Sequence, residues 1–139
     1  MTAPTSSETI RLTREGDIVH LQIRGRLDLA RITMLHEQVA QVLREAGQAY
    51  LLADLSQLDG ISPDARRANG EWSKTHHVTG AALYGAGFAA RTLASLLYQA
   101  VRLVGNKHFE LEFARDEAAG RRWIDAHRAK GRAGGSHVG

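Results

Sequence analysis

The apolar residues of this chain change their spacing along its length, and that change constrains the fold more than any single motif. From Ile18 to Arg24 they alternate, with Val19, Leu21 and Ile23 on one side and Ile18, His20, Gln22 and Arg24 on the other, the period of a strand between two environments. From Leu29 to Glu45 the spacing becomes helical, and Ile32, Leu35, Val39, Val42 and Leu43 share one stripe. Tyr50–Leu55 is then a nearly continuous apolar run, as expected of a strand covered on both faces. Such a chain predicts strands and helices in turn, layered on one sheet.

The remaining segments continue the pattern. Thr9–Arg14 is a strand candidate, and Glu15, Gly16 and Asp17 supply turn chemistry that folds it against Ile18–Arg24 as a hairpin. Asp28 is placed to cap the first helix and Gly47 to end it. Ser62-Pro63 reads as an N-cap followed by proline at the first helical position, with Ala65, Ala68, Trp72 and His76 expected to face inward. Ala81–Tyr84 is a second buried strand. In the predicted helix Phe88–Val104, residues Phe88, Thr92, Leu96, Gln99 and Leu103 lie close to one stripe, with Leu93, Leu97 and Ala100 beside it. Phe109, Leu111 and Phe113 alternate with polar neighbours, as an edge strand does, and Asp116 caps a last helix carrying Ala119, Trp123 and Ile124. The predicted fold is α/β, in the order β-β-α-β-α-β-α-β-α: a mixed, mostly parallel five-stranded sheet with four helices and right-handed crossovers. Residues 9–128 are expected to form one domain, after a disordered lead (1–8) and before a flexible tail (129–139).

Composition excludes several classes of function. The chain has no cysteine, so it has no disulfide, thiolate ligand or cysteine nucleophile. No apolar run reaches the roughly 20 residues that span a bilayer. Met1–Glu8 has neither the basic start nor the apolar stretch of a signal peptide, so a cytoplasmic location is expected. Eighteen basic against fifteen acidic residues give a net charge of +3, mostly interleaved as on a solvated surface. The one basic cluster, Arg121, Arg122, His127, Arg128, Lys130 and Arg132, suits an anionic partner, but also the carboxyl end of a helix, where the dipole favours cations. No specific nucleic-acid partner is expected.

Particular residues then point to a family. Gly25-Arg26-Leu27-Asp28 after a strand, and the stretch Leu52-Ala53-Asp54-Leu55-Ser56-Gln57-Leu58-Asp59-Gly60-Ile61-Ser62, resemble the first βα turn and the switch-loop strand of STAS domains, the family of anti-sigma-factor antagonists and sulfate-transporter tails. Ala82-Leu83-Tyr84-Gly85, Arg91 and Asp116-Glu117-Ala118 fit the same plan. The resemblance covers about residues 9–127 and is nearest to uncharacterised bacterial SpoIIAA-like proteins of STAS/SEC14 type. It implies a non-catalytic module acting through protein partners or, as in the related CRAL-TRIO group, a carrier of lipid-like molecules. STAS antagonists place a phosphorylatable serine after an aspartate at the start of the second helix. Here Ser62, Pro63 and Asp64 stand there instead, without the Asp-Ser-Ser pattern.

The candidate ligand- or partner-binding residues are Asp28, Asp54, Ser56, Asp59, Ser62, Asp64, Trp72, Tyr84, Gly85, Gly87, Phe88 and Arg91. Asp54, Asp59 and Asp64 cluster around one loop, where they might serve turns and caps or flank a pocket at the carboxyl ends of the strands. Ser62 is a helix cap first and a phosphorylation candidate second. Gly85-Ala86-Gly87-Phe88-Ala89-Ala90 matches a dinucleotide-binding turn, although a strand-to-helix turn explains the same glycines. Trp72, Tyr84, Phe88, Phe109 and Trp123 either line an apolar cavity or fill the core. His76-His77 cannot converge on one metal, no motif for a catalytic elbow or phosphate loop occurs, and no cofactor is expected. A second apolar sheet face is expected to need cover from a lipid, a helix or a second copy of the chain, the last being the commonest solution.

Overall fold

The structure, a computed structural model, describes residues 9–137. Strands β1 (Thr9–Glu15) and β2 (Ile18–Leu27) form the predicted hairpin, with Leu12 opposite Leu21 and Glu15 opposite Ile18. The chain continues through α1 (Leu29–Ala46), β3 (Tyr50–Ile61), α2 (Pro63–Ser73), β4 (Gly80–Tyr84), α3 (Phe88–Leu103), β5 (Glu110–Ala114) and α4 (Glu117–His137). The sheet order is β1-β2-β3-β4-β5, antiparallel between β1 and β2 and parallel elsewhere. This is the five-stranded mixed sheet with four helices that the periodicity predicts.

The helix caps follow the sequence signals. The Asp28 carboxylate accepts from the Arg31 amide at 3.0 Å, the Ser62 hydroxyl from the Ala65 amide at 3.3 Å, and the Asp116 carboxylate from the Ala119 amide at 2.8 Å. Gly47 ends α1 in the left-handed region at φ 79°. Strands β2 and β3 outrun their predicted ends at Arg24 and Leu55. They stay paired past two register shifts as far as Leu27 opposite Ile61, so β-bulges carry the ladder through a stretch whose alternation is broken.

Strand order decides where the helices lie. Each strand from β3 to β5 adds on the same side of its predecessor, so three crossovers of one hand put α1, α2 and α3 on the same face. There Ile32, Leu35, Val39, Ala65, Ala90 and Val101 meet Val19, Leu21, Ile23, Ala53 and Leu83 of the sheet. The opposite face is covered by a helix of the chain itself, one of the three covers the sequence leaves open, and not by the second subunit it favours. After β5, the last strand among the described residues, α4 returns across the back of the sheet. Its Ile124, Ala119 and Trp123 pack on Tyr50, Leu52, Ala82 and Tyr84.

Helix α4 lies close to the sheet because Gly120 has no side chain: a Cβ there would stand 2.8 Å from Leu52 Cδ1 and 3.4 Å from Ala82 Cβ. Its arginines tie it to the hairpin. Arg121 donates to both Glu15 oxygens at 2.7 and 3.0 Å and to Glu117 at 2.9 Å. Arg128 donates to the Asp17 carboxylate at 2.6 and 3.1 Å. Much of the basic cluster therefore serves as tethers within the molecule, while Arg132 lies outside the described side chains. The helix runs on to His137, so residues 129–137 are helical where the sequence suggests a flexible tail. Glycines at 131, 134 and 135 are the reason the sequence suggests a tail, but no proline interrupts the helix and cations near its carboxyl end suit the dipole. The expected lead at residues 1–8, and residues 138–139, lie outside the described residues.

Two measurements test this packing. Gly120→Val is expected to lose about 1–3 kcal/mol in urea unfolding through overpacking against Leu52. Gly131→Ala, on the same helix with nothing within 4 Å, is expected to gain about 0.5–1 kcal/mol. Burial pushes the Asp17 carboxyl up, but hydrogen bonds from Arg128 and Gln48 outweigh it and hold it below the usual range. A carboxyl whose folded pKa is depressed stabilises the fold above its unfolded value and loses that stabilisation as pH falls through the folded value. Urea midpoints from pH 6 to pH 2 should therefore fall less steeply for Asp17→Asn than for the wild-type chain.

Candidate functional site

Helices α1 to α3 all start at the carboxyl edge of the parallel strands, so their leading turns gather at one end of the sheet, where ligands of open α/β sheets bind. Asp28 and Asp59 line one open cleft there, with Arg26, Gly60, Ile61 and Leu93. Beside it Ser62 is buried, and its hydroxyl donates to Asp64 at 2.5 Å while accepting from the Ala65 amide. The Asp64 carboxylate also accepts from the Ala65 amide at 2.9 Å. The Ser62 hydrogen bond holds the Asp64 carboxyl below its usual range, with the Ala65 amide adding to the effect. A phosphate on Ser62 would have to displace that carboxylate.

The three loop aspartates do not converge. Asp54 turns toward Ser56, accepting from its amide at 3.0 Å and its hydroxyl at 2.7 Å. Gly85 approaches this pair so closely that a Cβ would stand 3.0 Å from Ser56 Cβ and 3.2 Å from Asp54 Oδ1, and its φ is +73°. Close approach and a left-handed backbone together account for glycine at 85. Gly87 precedes α3 as its N-cap, with extended backbone and no side-chain cap.

The aromatic set does not line one cavity, because the sheet divides it. Tyr84 and Trp123 belong to the α4 face, whereas Trp72 and Phe109 belong to the α1–α3 face. Phe88 lies on neither, with 88% of its surface exposed. On the α4 face the Tyr84 hydroxyl meets buried His20 Nε2 at 2.7 Å. Burial, reinforced by the charges of Asp54 and Glu117, pushes the Tyr84 phenol up to about 12, so it stays protonated at neutral pH. On the other face Trp72 is sandwiched between His36 and His76, at ring distances of 4.2 and 4.6 Å and nearly parallel planes. Burial pulls the His36 imidazole below its usual range, against an opposing hydrogen bond with Asn69 at 2.8 Å.

Under the same three helices the structure holds an apolar cavity of about 150 Å³. Its walls include Leu21, Ala53, Leu83, Ala94 and Phe109, and its polar lining includes His36, Asn69, Ser73 and Asn106. Of the aromatic residues singled out in the sequence, Trp72 and Phe109 reach it. Its polar residues carry a weaker sequence signal: His36 falls between Ile32 and Val39 on the α1 stripe, and Asn69 and Ser73 stand four and eight residues after Ala65, at helical spacing.

Helix α3 has apolar residues on two sides. Ala90, Ala94, Leu97, Tyr98 and Val101 line the cavity, while Phe88, Leu96 and Leu103 are 88%, 56% and 86% exposed. At about 100° per residue those exposed residues fall within an arc of about 80° over about 22 Å of helix. Arg91 and Arg102 flank them, with Arg91 lying 4.9 Å over the Phe113 ring, and α3 carries no acidic residue.

A mixed sheet with three helices on one face, a fourth on the other, and convergent leading turns defines a STAS-like α/β module. The SpoIIAA-like family model matches residues 18–125, and the chain belongs to the SpoIIAA-like family. In structure it is similar to an uncharacterised protein of the DUF3478 family with a SpoIIAA-like fold from Shewanella loihica, at 20% identity and a TM-score of 0.58, over 88% of this chain and 98% of that one. It is also similar to the anti-sigma factor antagonist SpoIIAA in its unphosphorylated form, at 11% identity and a TM-score of 0.50, over 84% of this chain and 98% of that one. At such identities the likeness is one of fold. No curated protein matches the chain, and no helix among the described residues is long and apolar enough to cross a membrane.

Ser62→Ala is expected to destabilise the fold by about 0.5–2 kcal/mol, toward the smaller figure because Asp64 still accepts from the Ala65 amide. Thermal unfolding of the two proteins at pH 7 measures the difference.

Proposed function

We propose that this chain is a non-catalytic regulatory module that works by docking a protein partner along the outer side of α3. The observation that carries this reading is the exposed row Phe88, Leu96 and Leu103, since large apolar residues aligned on a solvent-facing helix mark an interaction surface. Phe88 also sets one end of the row at the carboxyl edge of the strands, beside the turns that hold Ser62 and Asp64. In this reading the partner meets Phe88 and the switch-loop region together.

Charge indicates the kind of partner. The flanking Arg91 and Arg102 have no acidic residue on α3 to offset them, so a partner with an apolar ridge and acidic flanks complements the surface. A symmetric α3–α3 pairing of two copies would set arginine beside arginine, which disfavours the homodimer that the sequence alone suggests. A second reading, that the module also holds a small apolar molecule, is favoured by the cavity beneath α1–α3.

The docking reading is tested with Leu96→Asp/Leu103→Asp. Exposed positions tolerate such changes within about 0.5 kcal/mol, so the melting temperature should hardly move. In pulldowns from the native host, the wild-type chain should recover one stoichiometric protein with an acidic surface, in amounts that fall as salt rises, and the variant should lose it. Equal recovery by both proteins refutes the docking surface. Sedimentation showing a wild-type dimer that the variant abolishes refutes the heterologous partner.

A further inference from the structure

The cavity under α1–α3 is lined by apolar side chains, yet it contains polar groups with nothing to bond. Ser73, in the last turn of α2, is 3% exposed, and its hydroxyl makes no hydrogen bond to any described residue. Asn106, 6% exposed, donates its amide nitrogen to the Val78 carbonyl at 3.0 Å. That contact fixes the orientation of the amide and leaves its carbonyl oxygen without a partner among the described residues. A buried polar group without a hydrogen bond costs free energy, and an apolar void beside it gives up packing that a filled core would have. Both deficits are removed together by a molecule that fills the void and offers a hydrogen-bonding group.

We infer that the cavity is a binding site for a compact, single-ring apolar molecule bearing one hydroxyl or amine, which Ser73 and Asn106 recognise. Size sets the first half of this description. A cavity of about 150 Å³ is the size that takes up a benzene ring. Polarity sets the second half. The Ser73 hydroxyl both donates and accepts, and the Asn106 oxygen accepts, so a ligand hydroxyl or amine finds a partner for its proton where an alkyl ring finds none. The His36–Trp72–His76 stack forms a flat aromatic part of the wall, suited to a ring edge or face. The site is separate from the docking surface, because Leu96 and Leu103 are not among its lining residues.

The test uses p-cresol and toluene, which share a ring and a methyl group and differ by one hydroxyl. Each is titrated into the full chain by calorimetry, with ¹H–¹³C spectra following the methyl groups of Ala81, Leu83, Ala90 and Ala94. Both probes are expected to bind and to shift those methyls, p-cresol more tightly. Ser73→Ala should weaken p-cresol roughly three- to tenfold, the worth of one hydrogen bond, and leave toluene unchanged. Ala94→Leu, which puts a larger side chain into the void, should abolish binding of both without lowering the melting temperature. Absence of methyl shifts up to millimolar probe overturns the site, as does binding that Ala94→Leu leaves intact. Equal affinity for the two probes, or p-cresol binding indifferent to Ser73→Ala, overturns recognition of the hydroxyl. Ser73→Ala carries the test by itself if Ala94→Leu does not fold.

Discussion

The handedness of three consecutive crossovers governs the rest of this molecule. Strands that always add on the same side commit α1, α2 and α3 to one face of the sheet. The other face is left to the single helix that has no strand to follow. Each helix therefore has a different task. The first three share one broad apolar layer, and α4 must cover Tyr50, Leu52, Ala82 and Tyr84 nearly alone. It does so by lying close at Gly120 and by pinning its length to the hairpin through Arg121 and Arg128. Surface ion pairs contribute little singly, but here a guanidinium with two contacts to one carboxylate fixes the direction of a helix that lacks a crossover to orient it.

The same division explains the polar residues of the sheet. Toward α1–α3 the strands present Val19, Leu21, Ile23, Ala53 and Leu83. Toward α4 they present His20 and Tyr84 as well as aliphatic residues, and those two satisfy each other. Both are buried, and buried polar groups need hydrogen-bond partners, which each supplies to the other. The raised Tyr84 phenol follows from its burial under α4, reinforced by the nearby charges of Asp54 and Glu117.

Element order, caps and sheet type were legible in the sequence because each rests on local physics: period, N-cap chemistry at Asp28, Ser62 and Asp116, and glycine at 47. The site was legible only in part. Asp28, Asp59, Ser62 and Asp64 do gather at one end of the sheet, since strand order alone places the turns. Asp54 sits in the predicted strand, but its carboxylate turns to Ser56 and not toward Asp59 and Asp64, a choice of partner that spacing does not encode. For the aromatic set the sequence left cavity and core open: Trp72, Tyr84, Phe109 and Trp123 pack in the core, and spacing along one strand does not tell which face of the sheet a neighbouring helix covers. Ser73 and Asn106 gave almost no signal, because a lone serine or asparagine in a helix or loop is usually solvated and only tertiary burial leaves it unpaired.

Helix α3 shows how the two functional readings share one cause. Its large residues Phe88, Leu96 and Leu103 point to solvent, while alanines at 90 and 94 point to the sheet. The inward side carries bulk as well, from Leu97, Tyr98 and Val101, and the small residues at 90 and 94 leave the void between them. Rotating the helix to bury the leucines would remove both the exposed row and much of the void, yet the chain keeps Ala90, Tyr98 and Val101 inward. A cavity and an apolar outer surface on opposite sides of one helix are therefore two results of a single choice of side-chain sizes.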